Sequence, residues 1–196
     1  PSPKPTIIIG RDTRESGKMI FDALAKGLSK RGVDVWDCGI ITTPAISYLT
    51  QATNSLAGIV ISASHNPYQF NGIKFFSHSG MKLPDEVESE MEERLATFSP
   101  SKTKKGKKGN IIPFRQAKNK YINFIKRSIP EEVNFSGLKM VIDCANGSVS
   151  EIAPKIFRDL GAEVIVVNDA PDGKNINEGC GSLHLGVVQK VVKRSG

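Results

Sequence analysis

Apolar residues recur along this chain at two spacings in turn, and that alternation predicts the architecture. Thr6 to Ile9 is a short β-branched run, read as a strand. Gly10 to Glu15 is polar and turn-like. Ser16 is placed to cap a helix in which Ile20, Leu24 and Leu28 recur at helical spacing until Gly32 stops it. Val33 to Cys38 is a second strand, and Thr43-Pro44 opens a second helix marked by Ile46 and Leu49. Ala57 to Ile61 is too short for a helix and apolar throughout, so it reads as a buried strand. This order predicts a sheet with helices on both faces and right-handed crossovers.

The third strand stops abruptly at small and polar residues and a proline, so a loop hangs from its end. Asn71-Gly72 signals a turn, and Ile73 to Phe76 reads as a returning strand. After a turn from Ser77 to Leu83, Pro84-Asp85-Glu86 opens a helix whose apolar marks are Val87, Met91 and Leu95. Its leading acids suit the positive helix end. Ser99 to Asn110 is low-complexity Lys, Gly and Ser, expected as a long loop inside the first domain. Phe114 to Ser128, with Tyr121, Phe124 and Ile125, is a further helix. Pro130 and Glu131-Glu132 mark a boundary.

Beyond it the pattern restarts. Leu138 to Ile142 is a strand and Asp143 to Gly147 a loop at its carboxyl end. Ser150 is placed to cap a helix carrying Ile152, Ile156 and Leu160 up to Gly161. Glu163 to Val167 is a strand, Asn168 to Gly181 a long polar loop, and Leu185 to Lys193 another helix. Two strands do not stand alone comfortably as a sheet. The division expected is a domain over residues 1–130 and the first part of a second, similar one over 131–196.

Composition changes this picture little. Of 196 residues, 39% are apolar and 24% charged, ordinary for a globular protein. No run approaches the roughly 18 apolar residues of a membrane span. The chain opens Pro1-Ser2-Pro3-Lys4-Pro5 with neither Met nor the apolar region of a signal peptide, so it reads as a cut or processed piece. Cys38, Cys144 and Cys180 are sparse and unpaired in spacing, which argues against a disulfide framework or a zinc site and for reduced thiols in the cytoplasm. The net charge of +7 owes much to the run Lys102 to Lys108, which carries five lysines. A solvated loop accounts for it. A basic nucleic-acid-binding module is the competing reading, with few aromatics beside the lysines to support stacking.

The candidate chemistry lies on the loop after the third strand, because ligands bind at the carboxyl ends of strands in open α/β sheets. That loop presents Ser62, Ser64, His65 and Asn66 and brings Lys74 back near them. On residue types alone, Ser64 reads as a turn serine bonding its own backbone, and Lys74 as a solvent-facing strand lysine. Arg11 and Arg14 sit after a strand and before a helix, where Asp12 can hold one of them bidentately. No Walker loop, dinucleotide fingerprint or paired Cys or His spacing occurs.

Ser62-Ala63-Ser64-His65-Asn66-Pro67 followed by Asn71-Gly72-Ile73-Lys74-Phe75-Phe76 resembles the phosphoserine loop of the α-D-phosphohexomutases. Gly10 to Gly17, Asp143 to Gly147, Pro171-Asp172-Gly173 and Asn175-Ile176-Asn177-Glu178 match the same family, and the likeness covers nearly the whole chain. It implies a three-layer α/β/α domain with a mixed sheet. It also implies an isomerase that interconverts glucosamine 6-phosphate and glucosamine 1-phosphate through a sugar bisphosphate. Mannose and glucose phosphates are the alternative substrates. Ser64 would be the phosphoserine and would give one phosphate oxygen to Mg²⁺, whose other ligands come in the family from an Asp-Gly-Asp-Gly-Asp-Arg loop absent here. Lys74 would be a general acid/base or charge stabiliser, with His65, Asn66, Arg11 and Arg14 supporting the loop. A phosphosugar substrate, no nucleic acid, no membrane and room for a homodimer complete the expectation. Phe70, Ser148 and Leu183 depart from the family pattern.

Overall fold

The computed structural model describes residues 4–97 and 107–195. Five strands form the first sheet: β1 (Thr6–Arg11), β2 (Asp34–Ile40), β3 (Ala57–Ile61), β4 (Ile73–Ser77) and β5 (Ile111–Pro113). Their order is β4-β3-β1-β2-β5, parallel except for β4, which runs antiparallel to β3. The sheet is therefore mixed. Helix α1 (Ser16–Lys30) joins β1 to β2, and α2 (Thr43–Ala52) carries the chain from β2 back past β1 to β3. The strand order reverses between β1 and β3, so the crevice at their carboxyl ends is the place such sheets offer to a ligand.

Two clusters sandwich the sheet. On one face Ile7, Ile9, Ile59 and Ile61 pack with Phe21 and Ala25 of α1. On the other, Ile8 and Val60 pack with Ala45, Ile46 and Leu49 of α2 and with Tyr121 and Ile122 of α4 (Ala117–Arg127). Burial on both faces explains the unbroken apolar runs of β1 and β3. Close approach of α2 to the sheet requires glycine at position 58, where a Cβ would lie 2.1 Å from Thr50 Oγ1 and 2.9 Å from Ile46 Cγ2. Gly58→Ala is expected to destabilise the fold by about 1–3 kcal/mol, the usual range for overpacking a core. Urea unfolding checks it, and an unchanged midpoint contradicts it.

Several elements differ from the sequence expectation. The buried stripe of α1 is Gly17, Phe21 and Ala25, with Ile20, Leu24 and Leu28 half-buried beside it. Neither Ser16 nor Ser150 caps a helix. Asn71 Nδ2 donates to Ser16 Oγ at 2.9 Å, and Ser150 Oγ donates to the Gly147 carbonyl, three residues before α5 (Ala153–Asp159) begins. Helix α3 (Asp85–Ala96) has its acids in the first turn but buries no residue. Most of the Ser99 to Asn110 stretch lies outside the described residues. Its last part docks instead of looping free: the Gly109 N–H donates to Ser29 O, and the chain then adds β5 to the sheet edge. That short strand ends in Pro113, which an edge tolerates.

The second sheet pairs β6 (Lys139–Asp143) with β7 (Glu163–Val167) in parallel. Helix α5 connects the two, and α6 (Gly186–Ser195) follows β7 after a long loop. Ile152 and Ile156 belong to the same apolar cluster as Tyr121 and Ile122, so this unit packs on α4. Lys118–Glu151 and Lys126–Asp159 pairs flank that contact. No helix among the described residues is long and apolar enough to cross a membrane.

Candidate active site

The loop of residues 62–72 joins β3 to β4 at the β1–β3 crevice. The Asn71-Gly72 turn signal does not explain its shape, since neither residue has a positive φ. Ser64 does, at φ +57°. A non-glycine residue in this region carries local strain of about 1–2 kcal/mol and persists only where its surroundings hold it. Three groups hold it here. Buried Ser62 accepts the Ser64 N–H on its hydroxyl at 3.2 Å, and the Ser62 N–H donates to the Gly72 carbonyl at 2.9 Å. Arg14 and Asn177 take the loop's carbonyls. The Ser64 residue itself stays exposed, and its hydroxyl makes no hydrogen bond among the described residues.

Arg14 is the hub. It is only 3% exposed, yet every one of its five side-chain donors has a partner. Nε donates to Asp12 Oδ2 at 2.9 Å. Nη1 donates to the carbonyls of Pro67 and Phe70, and Nη2 to those of Ser64 at 3.0 Å and Asn66 at 2.8 Å. Asp12 Oδ1 in turn accepts the Arg14 N–H at 3.1 Å, while the Asp12 N–H donates to the Ile61 carbonyl at the end of β3. A buried guanidinium is stable only when paired and saturated in this way. Its fork also aims four carbonyls inward, which turns the Ser64 side chain outward.

Arg11 does something else. It donates to Asp37 Oδ1 at 2.8 Å and lies over the Phe21 ring, tying β1 to β2. Among the described residues it makes no bond to the Ser64 loop. Lys74 is half-buried on β4 opposite Val60, on the strand that returns from the loop, and has no ion-pair partner among the described residues. His65 is exposed. Asn66 contributes its backbone, donating to Ala63 O and accepting from Arg14 and Asn177.

The second unit supplies the far wall. Asp143 Oδ1 accepts from the Ala145 N–H and from Asn168 Nδ2, and its Oδ2 accepts from the Gly181 N–H. Ala145 and Asn146 are both left-handed. Asn146 gathers the long loop through Asn175 O and the Ala170 N–H, while its own carbonyl accepts from Thr13 Oγ1 at 2.6 Å. The Glu15 N–H donates to Gly173 O at 2.9 Å. Between the two units opens a cavity of about 240 Å³ lined by His65, Tyr68, Lys174, Asn177, Glu178 and His184, among others. Asn177 has no individual role legible in the sequence. Its partners are two backbone carbonyls 113 and 111 positions away, and residue types alone carry no signal for that.

All three cysteines are buried free thiols. Burial pushes Cys38 up to about 12 and Cys144 up to about 11, and raises Cys180 as well. They stay protonated near neutrality and act as small packing residues, not nucleophiles.

Comparison with known proteins decides the family. Residues 2–101 match the family described as Phosphoglucomutase/phosphomannomutase, alpha/beta/alpha domain I. The chain belongs to this family. The match contains both the Arg14 hub and the Ser64 loop. Among the relatives of this phosphoglucomutase/phosphomannomutase domain, a phosphoglucosamine mutase of Pseudomonas entomophila is 52% identical over 95% of the chain. One from Alkaliphilus metalliredigens is 48% identical over 96%. The chain spans 42% of the length of each. A phosphoglucomutase/phosphomannomutase family protein from Burkholderia thailandensis superposes with a TM-score of 0.77 at 25% identity, over 97% of this chain and 42% of its own. A Thermus thermophilus structure shares the fold with a TM-score of 0.79 at 22% identity, over 96% of this chain and 43% of its own.

Proposed function

We propose that this chain is the phosphoserine-bearing part of a phosphoglucosamine mutase, with Ser64 as the residue that carries the phosphoryl group. One observation carries the reading: an exposed hydroxyl, free of hydrogen bonds among the described residues, on a left-handed serine at the β1–β3 crevice. Strain held in place by a saturated buried arginine supports a functional loop here. The names of relatives at about half identity support the amino-sugar substrate over the glucose and mannose phosphates of the wider family.

In the reaction proposed, the P–O bond on Ser64 breaks as a free hydroxyl oxygen of the sugar phosphate bonds to phosphorus. The hydroxyl proton leaves to a base, and Ser64 Oγ departs from phosphorus as the leaving group, taking a proton from an acid to become a free hydroxyl. The bisphosphate turns over, and its other phosphoryl group passes back to Ser64. Such transfers depend mainly on positioning and charge neutralisation. Lys74 is the candidate acid/base or charge stabiliser, on the strand that leaves the loop.

Mg²⁺ is the family's expected ion, but the described residues do not build a cage for it. No three His, Cys, Asp or Glu side chains converge among them, and Asp12 has both oxygens engaged by Arg14. A phosphate on Ser64 would offer one oxygen, so the remaining ligands have to come from elsewhere. We place the enzyme in the cytoplasm, with a phosphosugar and not nucleic acid as its partner.

The test is phosphopeptide mapping of the complete enzyme as isolated and after incubation with a hexose bisphosphate. A single phosphoryl group on the peptide containing Ser64 is expected. Phosphate elsewhere, or none after incubation, overturns the assignment.

A further inference from the structure

Asn177 stands 113 positions beyond Ser64, in the other unit, yet its Nδ2 donates to Ser64 O at 3.0 Å and to Asn66 O at 3.1 Å. These are the same two carbonyls that Arg14 Nη2 takes from its side. Each carbonyl thus uses both of its lone pairs, one on each unit. Asn177 is itself fixed. It sits at φ +61°, its N–H donates to Ala145 O at 2.9 Å, and Ala145 belongs to the turn whose Asn146 carbonyl accepts from Thr13. A continuous run of hydrogen bonds therefore leads from the first unit through the second and back to Ser64.

We propose that Asn177 is a positioning residue for the phosphoryl relay, holding the Ser64 loop in its strained form only while the two units are docked. The inference rests on the phosphoserine reading above. Arg14 alone leaves one lone pair of each carbonyl to water, and the loop can then relax toward an ordinary turn. With Asn177 in place the backbone is gripped from both sides and the side chain points to the opening. A displacement of about 1 Å at a reacting group is enough to lower a rate about a hundredfold.

Two substitutions separate this role from plain structural support. Asn177→Gly removes the donor while suiting the positive φ, so the backbone is not strained by the change. Asn177→Asp keeps the shape but turns an acceptor toward two carbonyl oxygens. In the complete enzyme, Asn177→Gly is expected to lower kcat about ten- to a hundredfold, with KM nearly unchanged and a melting temperature within about 2 °C of the parent. Asn177→Asp is expected to fall below Asn177→Gly. Full kcat in Asn177→Gly overturns the proposal. So does a loss of activity that only tracks a lowered melting temperature, or an Asn177→Asp enzyme as active as Asn177→Gly. Ser64→Ala, assayed in parallel, separates the two ideas. If it stays active the phosphoserine reading fails, and if it is dead while Asn177→Gly is normal only this inference fails.

Discussion

Ser64→Ala in the complete enzyme is expected to remove mutase activity by at least about a thousandfold, the scale of losing a nucleophile outright. Stability is expected to change by less than about 0.5 kcal/mol, as for a substitution away from packing and hydrogen bonds. The split follows from geometry. Ser64 is exposed, its hydroxyl bonds to nothing among the described residues, and its backbone contacts survive the substitution. A turn serine that bonded its own backbone would show the opposite pattern, with lost stability and preserved turnover. Ser64→Gly sharpens the comparison. It is equally dead in the phosphoserine reading, yet it is expected to gain up to about 1 kcal/mol because glycine accepts φ +57° without steric cost. Steady-state assay and urea unfolding of the three proteins decide the matter, and an active Ser64→Ala enzyme sinks the assignment.

The residues of the candidate site were readable in order, but their division of labour was not. Strands β1 and β3 announce themselves because central strands are apolar on both faces, while β2 and the edge strand β4 show as shorter apolar runs bounded by turn residues. β5 does not, since three exposed residues after a lysine-rich stretch carry too little pattern. The helix caps misled for a local reason: Ser16 and Ser150 have cap chemistry, but a loop asparagine and a turn carbonyl claim their hydroxyls first. At the site, residue types showed that an arginine near Asp12 could matter, and left Arg11 and Arg14 equal. What separates them is the direction of backbone carbonyls. Four of these converge on Arg14, while an aspartate on β2 claims Arg11. The strain at Ser64 was hidden for the same reason, because a backbone angle forced by distant donors leaves no mark on residue identity.

Arg14 is consequently the position where stability and chemistry are expected to fail together. Arg14→Leu keeps much of the side-chain volume but strands Asp12, itself only 5% exposed, without its counter-charge. It also leaves four carbonyls without their guanidinium donor. Breaking a buried pair from one side costs about 3–5 kcal/mol, a large part of the 5–15 kcal/mol that holds a typical domain together. Arg14→Lys retains the charge, but its ammonium carries three donors in place of a five-donor fork and cannot reach Asp12 and both ends of the loop at once. It is expected to lie between, losing about 1–3 kcal/mol, the penalty for buried acceptors left unpaired. Its kcat should fall further than its stability explains, because the loop that presents Ser64 loses half its grip. Urea midpoints measured beside kcat test the order. If Arg14→Lys matches the parent in both, the fork geometry is irrelevant and the inward convergence of the carbonyls is not what turns Ser64 to the opening.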